Sequence, residues 1–224
     1  MDKPKKEKNN GINYFLNCYT PICTSKKGKE AASQYKIPPF ADASCRREPD
    51  LEHKRPSITA TCRCGQFVPR LEKGDMVVYV TKKGKYESRI HGWRLIAILE
   101  VIEKFENHKQ AKKWYEDNNY SLPSNCLVPG NPPLPEKETG QIYGKKSWPF
   151  ATSYEATESQ YQARVKKVPV FIVTKPLAKE LNNPITLTEK DMLKTFGRIP
   201  GMQNPPKITE KQFNELSKII KTQK

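Results

Sequence analysis

The first apolar pattern in the chain is Asn13-Tyr14-Phe15-Leu16-Asn17-Cys18-Tyr19-Thr20, which predicts a strand that Pro21 ends. Residues 24 to 40 are polar and lysine-rich and read as a loop, or as one short helix around Lys29 to Tyr35. From Pro56 to Cys64 (PSITATCRC) β-branched residues alternate with others, the signature of a second strand. Gly74-Asp75 then punctuates the chain before Met76 to Thr81 (MVVYVT), a short apolar run that suits a strand buried on both faces. A polar turn spans Lys82 to Lys85. Trp93 to Phe105 fits either periodicity, but its Ile and Val content favours a long strand, bulged near Glu100.

Asn107 is placed to cap a helix that reaches about Asn118, with Ala111, Trp114 and Tyr115 on its apolar side. The proline-rich stretch 121 to 147 reads as a long loop holding one short strand, Cys126-Leu127-Val128. Trp148-Pro149-Phe150 is an aromatic cluster in that loop region, and Val165 to Thr174 gives a further strand with Pro169 at an edge or bulge. Thr188 caps a short helix, and Thr209 to Thr222 is an amphipathic helix presenting Phe213, Leu216, Ile219 and Ile220 to a sheet or to a protein partner. Five or six strands and two or three helices, without βαβ alternation, predict an α+β fold with a mixed, barrel-like β-sheet and flanking helices. The division this suggests is a flexible basic tail over 1–11, a main domain over 12–175 and a helical extension over 176–224 packed on it.

With 224 residues, 36% hydrophobic and 29% charged, the chain is long enough to bury a core. No apolar run is long enough for a transmembrane helix, and MDKPKKEKNNG lacks the apolar stretch of a secretory signal, which predicts a cytoplasmic protein without a membrane partner. Net charge is +16, a field that attracts polyanions. The distribution sharpens this picture. Lysine and arginine together number 40, yet seven of the nine arginines fall between Arg46 and Arg94. Arginine is the side chain suited to forked contacts with phosphates and base edges. The six cysteines form no CxxC pair, so they read first as small buried apolar residues, with a four-thiolate zinc site from Cys18, Cys23, Cys62 and Cys64 as the alternative. Gly65, Gly74 and Gly84 fit no phosphate-cradling motif, so no nucleotide cofactor is expected.

The order of a first strand, an insertion, Gly74-Asp75, the apolar strand Met76-Val77-Val78-Tyr79-Val80, a polar turn and the strand Leu95-Ile96-Ala97-Ile98-Leu99-Glu100-Val101 resembles the PUA-like superfamily. That superfamily includes the EVE, ASCH, YTH and SRA domains, and the chain is most similar to its EVE-like and nucleotide-modification-associated branches over about residues 12 to 175. The resemblance implies a nucleic-acid-binding module, for DNA or RNA, in which a modified or flipped base enters a pocket between barrel strands. Flipping costs a few kcal/mol that stacking and edge hydrogen bonds must offset. An aromatic wall is then expected from Tyr79, Trp93, Trp148 and Tyr154.

Within that frame the segment Asp42 to Asp50 (DASCRREPD) mixes every group a recognition loop needs. Ser44 and the main chain donate to a base or phosphate, while Asp42, Glu48 or Asp50 accepts from an exocyclic amine or holds an arginine in place. Arg46, Arg47, Arg63, Arg89 and Arg94, with Lys82 and Lys83, are the expected phosphate contacts. Two other readings compete. The loop's own Arg–carboxylate pairs would stitch it shut, or Asp42, Glu48, Asp50 and Glu52 would hold a divalent metal for a nuclease or base-processing enzyme. Cys45 with His53 is the weakest arrangement, since a nucleophile and its base must meet in space.

Overall fold

A computed structural model describes residues 11–61, 66–86, 90–144 and 153–221. Its strands are β1 (Tyr14–Tyr19), β2 (Ser57–Thr59), β3 (Met76–Thr81), β4 (Trp93–Phe105), β5 (Phe171–Lys179), β6 (Ile185–Leu187) and β7 (Lys207–Ile208). Its α-helices are α1 (Lys26–Tyr35), α2 (His108–Asp117), α3 (Tyr154–Lys167), α4 (Glu189–Phe196) and α5 (Glu210–Lys221).

Gly74 and Asp75 tie three strands together. Gly74 has a φ of 91°, a left-handed position that glycine adopts at no steric cost. Its N–H donates to Val101 O, and the Val101 N–H donates back to Asp75 O. The buried Asp75 carboxylate accepts from the Asn13 N–H at 3.0 Å, the Asn13 side chain at 2.9 Å and the Glu72 N–H at 2.9 Å. That clamp starts β1 beside β3 in parallel register, Tyr14 opposite Met76, while β4 runs antiparallel to β3 on the other side.

The sheet is mixed and seven-stranded, in the order β2-β5-β4-β3-β1-β7, with β6 added to β4. The α+β class holds. The barrel-like closure does not appear, because no pairing among the described residues joins the terminal strands β2 and β7. Successive residues serve opposite faces, as a period of two requires. Phe15, Val77 and Leu99 pack on one side with Phe67 and Leu51, and Leu16, Val78 and Ile98 pack on the other with Leu216 and Ile220. Burial on both faces explains the unbroken apolar run of β3. The β4–β5 register slips between Ile98 and Leu99 and again between Val101 and Glu103, bracketing the bulge expected at Glu100.

Several sequence expectations need correction. The second strand is only Ser57–Thr59 among the described residues, since the chain turns at Ala60 and Thr61, and Cys62 to Cys64 lie outside them. Cys126 to Val128 is not a strand: the Cys126 N–H closes a turn on Pro123 O, and the Leu127 N–H is taken by His108 Nδ1. Residues 154 to 167, given no element before Val165 and expected as strand from there, form α3, capped by Ser153 Oγ accepting from the Ala156 N–H. β5 therefore begins at Phe171 and runs to Lys179, straight through the boundary drawn at 175. The stretch 176–224 is part of the same sheet, with β6 pairing β4, β7 pairing β1, and α5 burying Leu216 and Ile220 in the second core. No helix among the described residues is long and apolar enough to cross a membrane.

Leu216→Ala is expected to lower unfolding free energy by about 2–5 kcal/mol in urea titration. The same change at Leu193, which is 46% exposed, is expected to stay within about 0.5 kcal/mol.

Candidate ligand-binding site

The C-terminal end of β1 opens onto a cavity of about 480 Å³, inside the range of roughly 300–1,000 Å³ typical of small-molecule sites. One wall is Asp42, Ser44 and Glu48; Tyr19, Gln141 and Tyr161 contribute others, and exposed Lys82 reaches it from the end of β3. Backbone bonds hold this geometry. The Ile22 N–H donates to Ala41 O and the Ala43 N–H to Thr20 O, zipping the segment to the residues after β1. The Gly140 N–H donates to Ala43 O and the Leu134 N–H to Cys45 O, zipping its other edge to the proline-rich loop. A loop expected to be surface recognition machinery is thus a buried spacer between two neighbours.

Its carboxylates are the unusual feature. Glu48 is 6% exposed and surrounded by donors. Its Oε2 accepts from Thr59 Oγ1 at 2.6 Å, Thr61 Oγ1 at 2.8 Å and Asn125 Nδ2 at 3.0 Å, and the Thr59 N–H spans both oxygens at 2.9 and 3.0 Å. Burial still outweighs these bonds and pushes its pKa up to about 8. Asp42, 7% exposed, accepts on Oδ1 from the Ser44 N–H at 2.9 Å and from the Ser44 hydroxyl, and burial raises its pKa too. Neither carboxylate makes an ion pair among the described residues, although buried charges are as a rule paired.

The arginines beside them face inward, which overturns their expected role. Arg46 is 2% exposed; its Nε and Nη2 fork onto Glu158 at 2.7 to 3.1 Å, and its Nη1 donates to Ser124 O and Asn131 O. Arg47 is 3% exposed, pairs with Glu52 and donates to the backbone of Asp42 and Glu138. Arg94 is 3% exposed, stacks over Tyr86 at 5.1 Å and donates to the carbonyls of Trp93 and Lys85. Forked geometry suits buried carbonyls and carboxylates as well as phosphates, so clustering in sequence does not by itself mean a phosphate surface. The stitched-loop alternative accounts for Arg47, and Arg46 stitches the loop to α3. Comparisons with protein-family models, curated proteins and solved structures find no match. The functional reading therefore rests on geometry.

Of the expected base-pocket residues that are described, Asp42 and Ser44 line the cavity and Asp50, Tyr79, Trp93 and Tyr154 do not. Asp50 accepts from the Ser124 N–H and hydroxyl at 2.7 and 2.8 Å, away from this wall. Tyr79 is a core residue packed edge-on against Tyr19, and Trp93 is buried in the second core with Lys83 over its ring at 5.1 Å. Lys83 also pairs with Glu189. Tyr154 opens α3 and donates to Leu134 O at 2.6 Å. Arg63, Arg89 and Trp148 lie outside the described residues. Among the described residues, the aromatic surfaces of the cavity are Tyr19 and Tyr161. Tyr161 was missed because no element was assigned between Phe150 and Val165; Tyr161 and Val165 at i, i+4 behind Ser153 were the available sign of a helix.

Asp42, Glu48, Asp50 and Glu52 answer to different donors, and among the described residues no three His, Cys, Asp or Glu side chains gather as metal ligands. Cys18 and Cys23 are buried in the two separate cores. Burial pushes the Cys45 thiol up to about 12, and His53 is engaged by the carbonyls of Arg55 and Ser121.

Two outcomes follow. Arg46→Ala strands Glu158 and two carbonyls, and is expected to cost about 3–5 kcal/mol in urea titration. Glu48 gains its proton on folding, so its stabilisation is complete below its ordinary 4.5 and is lost as pH rises through 8. His108, pushed down to about 4 by burial and Arg46, acts oppositely and loses its contribution as pH falls from 6.5 toward 4. Between pH 6.5 and 8 the chain should therefore lose up to about 1.4 kcal/mol per pH unit through Glu48, and Glu48→Gln should flatten that slope.

Proposed function

We propose that this chain is a nucleic-acid-binding module of PUA-like type, holding one extruded or modified base in the cavity beside β1. The observation that carries the reading is the contrast between the cavity and its surroundings. Two buried carboxyl groups without a salt bridge among the described residues, Asp42 and Glu48, belong to the wall of a space of about 480 Å³ in a chain of net charge +16. The outer field repels a cationic ligand and favours a polyanion. The inner wall offers carboxyl groups that can hydrogen-bond the polar edge of a ring. A nucleotide strand carries both properties at once: negative phosphates outside and neutral donor-bearing rings that swing inward.

The parallel β1–β3 pair entered through Gly74-Asp75, flanked by antiparallel β4, supports the PUA-like reading of the sheet. Tyr19 and Tyr161 offer ring surface for stacking, and base–aromatic contacts are worth about 1–3 kcal/mol each. Phosphate contact falls to lysine, not to the buried arginines. Lys82 at the cavity is exposed and makes no ion pair among the described residues.

Fluorescence anisotropy with labelled single-stranded and duplex DNA and RNA tests this. Binding is expected to weaken at least ten-fold between about 50 and 200 mM salt, and Lys82→Glu to weaken it further at low salt. No binding to any strand at low salt would refute the reading.

A further inference from the structure

We infer that helix α3 is a movable wall of the cavity, latched shut by the Arg46–Glu158 pair, which lifts to admit the ligand and settles back onto it. This goes beyond the nucleic-acid reading and holds whatever ligand the cavity takes. The observation behind it is how differently α3 is held from the other helices. α1 buries Ala31 and Ala32 in one apolar cluster, and α2 puts Ala111 and Tyr115 in another. α4 and α5 send Met192, Leu216 and Ile220 into the second core. Among the described residues, no side chain of α3 belongs to any of these clusters or to the first core. Its buried side is Thr157, Tyr161 and Val165.

Polar tethers hold α3 instead. Glu158 takes the Arg46 fork at 2.7 to 3.1 Å, and Arg164 Nη1 donates to Thr61 O at 2.8 Å. The Tyr154 hydroxyl donates to Leu134 O at 2.6 Å, and the Gln141 amide donates to the Tyr161 hydroxyl at 3.4 Å. Thr61, Gln141 and Tyr161 all line the cavity, so lifting α3 opens it on that side. A hydrogen bond of this kind contributes only about 0.5–1.5 kcal/mol net, because water replaces the partner when it breaks. Buried apolar surface has no such substitute. A segment with few buried apolar contacts therefore opens at a free energy below that of global unfolding. Arg46 sets the closed position. At 2% exposure it needs the Glu158 carboxylate against it, and lifting α3 uncovers the Nε and Nη2 side of its guanidinium to water. Neutralising Glu158 leaves the closed state with a buried cation and no counter-charge, which shifts the balance toward open.

Hydrogen exchange of the full chain, read by mass spectrometry, tests this. Helix α2 is the comparison, because one side chain caps each helix, Asn107 for α2 and Ser153 for α3. In the free chain the amides of α3 are expected to exchange at least roughly ten-fold faster than those of α2, with β3 slowest. Glu158→Gln should speed α3 by roughly another ten-fold and leave α2 and β3 as they are. The tightest-binding strand of the anisotropy assay should slow α3 without slowing α2. Equal protection of α3 and α2 in the free chain overturns the movable wall. So does a Glu158→Gln effect that is absent from α3 or equal in all three elements, or a bound strand that leaves α3 unchanged. If no strand binds, the nucleic-acid reading fails, and the free-chain comparison still decides whether α3 moves.

Discussion

Four ionisable side chains, Asp42, Arg46, Arg47 and Glu48, are buried within seven consecutive residues, and the neighbouring structure is arranged to meet their needs. Charge taken from water must be paired or hydrogen-bonded, or it costs several kcal/mol. The two arginines are met in full. Arg46 reaches across to α3 and to the carbonyls of the proline-rich loop, and Arg47 ties the segment to Glu52. The two acids are met only by neutral donors. That difference, arginines held by carboxylates and carbonyls while the acids are held by hydroxyl and amide donors and pushed by burial toward their protonated forms at the wall of a cavity, separates this site from an ordinary buried network.

The sheet exists in service of that arrangement. The Asp75 clamp sets β1 beside β3, and the same register brings Tyr19 and Lys82 to one end of the sheet, joined by the Lys82 N–H to Tyr19 O. Residues 20 to 22 then leave β1 and take the 41–43 backbone alongside, which delivers Asp42 to that end. β2 carries Thr59 to Glu48, and the proline-rich loop carries Asn125 to the same oxygen. Helix α3 closes the far side with Tyr161 and anchors Arg46 through Glu158. Five separated pieces of chain thus converge on one short segment.

How much of this the sequence disclosed depended on whether the governing signal was local. Strands β1, β3 and β4, the bulge around Glu100, and the caps at Asn107 and Thr188 follow from periodicity and turn chemistry, and all were legible. The Asp42–Asp50 segment could be singled out by composition, and two of its residues do wall the cavity. Its orientation could not be read. Whether a guanidinium faces solvent or a buried carbonyl depends on residues 78 and 112 positions away, Ser124 and Glu158, which no window around Arg46 contains. Helix α3 was obscured for a related reason: its amphipathic signal is weak because its buried side is only Thr157, Tyr161 and Val165, with Arg46 supplying the polar remainder of the contact. Trp93 and Tyr79 look like recognition aromatics in isolation, and become core once strands pack on both of their faces.

The central claim is that the cavity walled by Asp42, Ser44 and Glu48 is the ligand-facing part of the molecule. Determining the structure of the full chain with a bound oligonucleotide tests it most directly. The account requires a base inside the cavity with its polar edge within hydrogen-bonding distance of Asp42, Ser44 or Glu48, and phosphates near Lys82. An oligonucleotide seated on another face, with the cavity beside β1 empty, would contradict it.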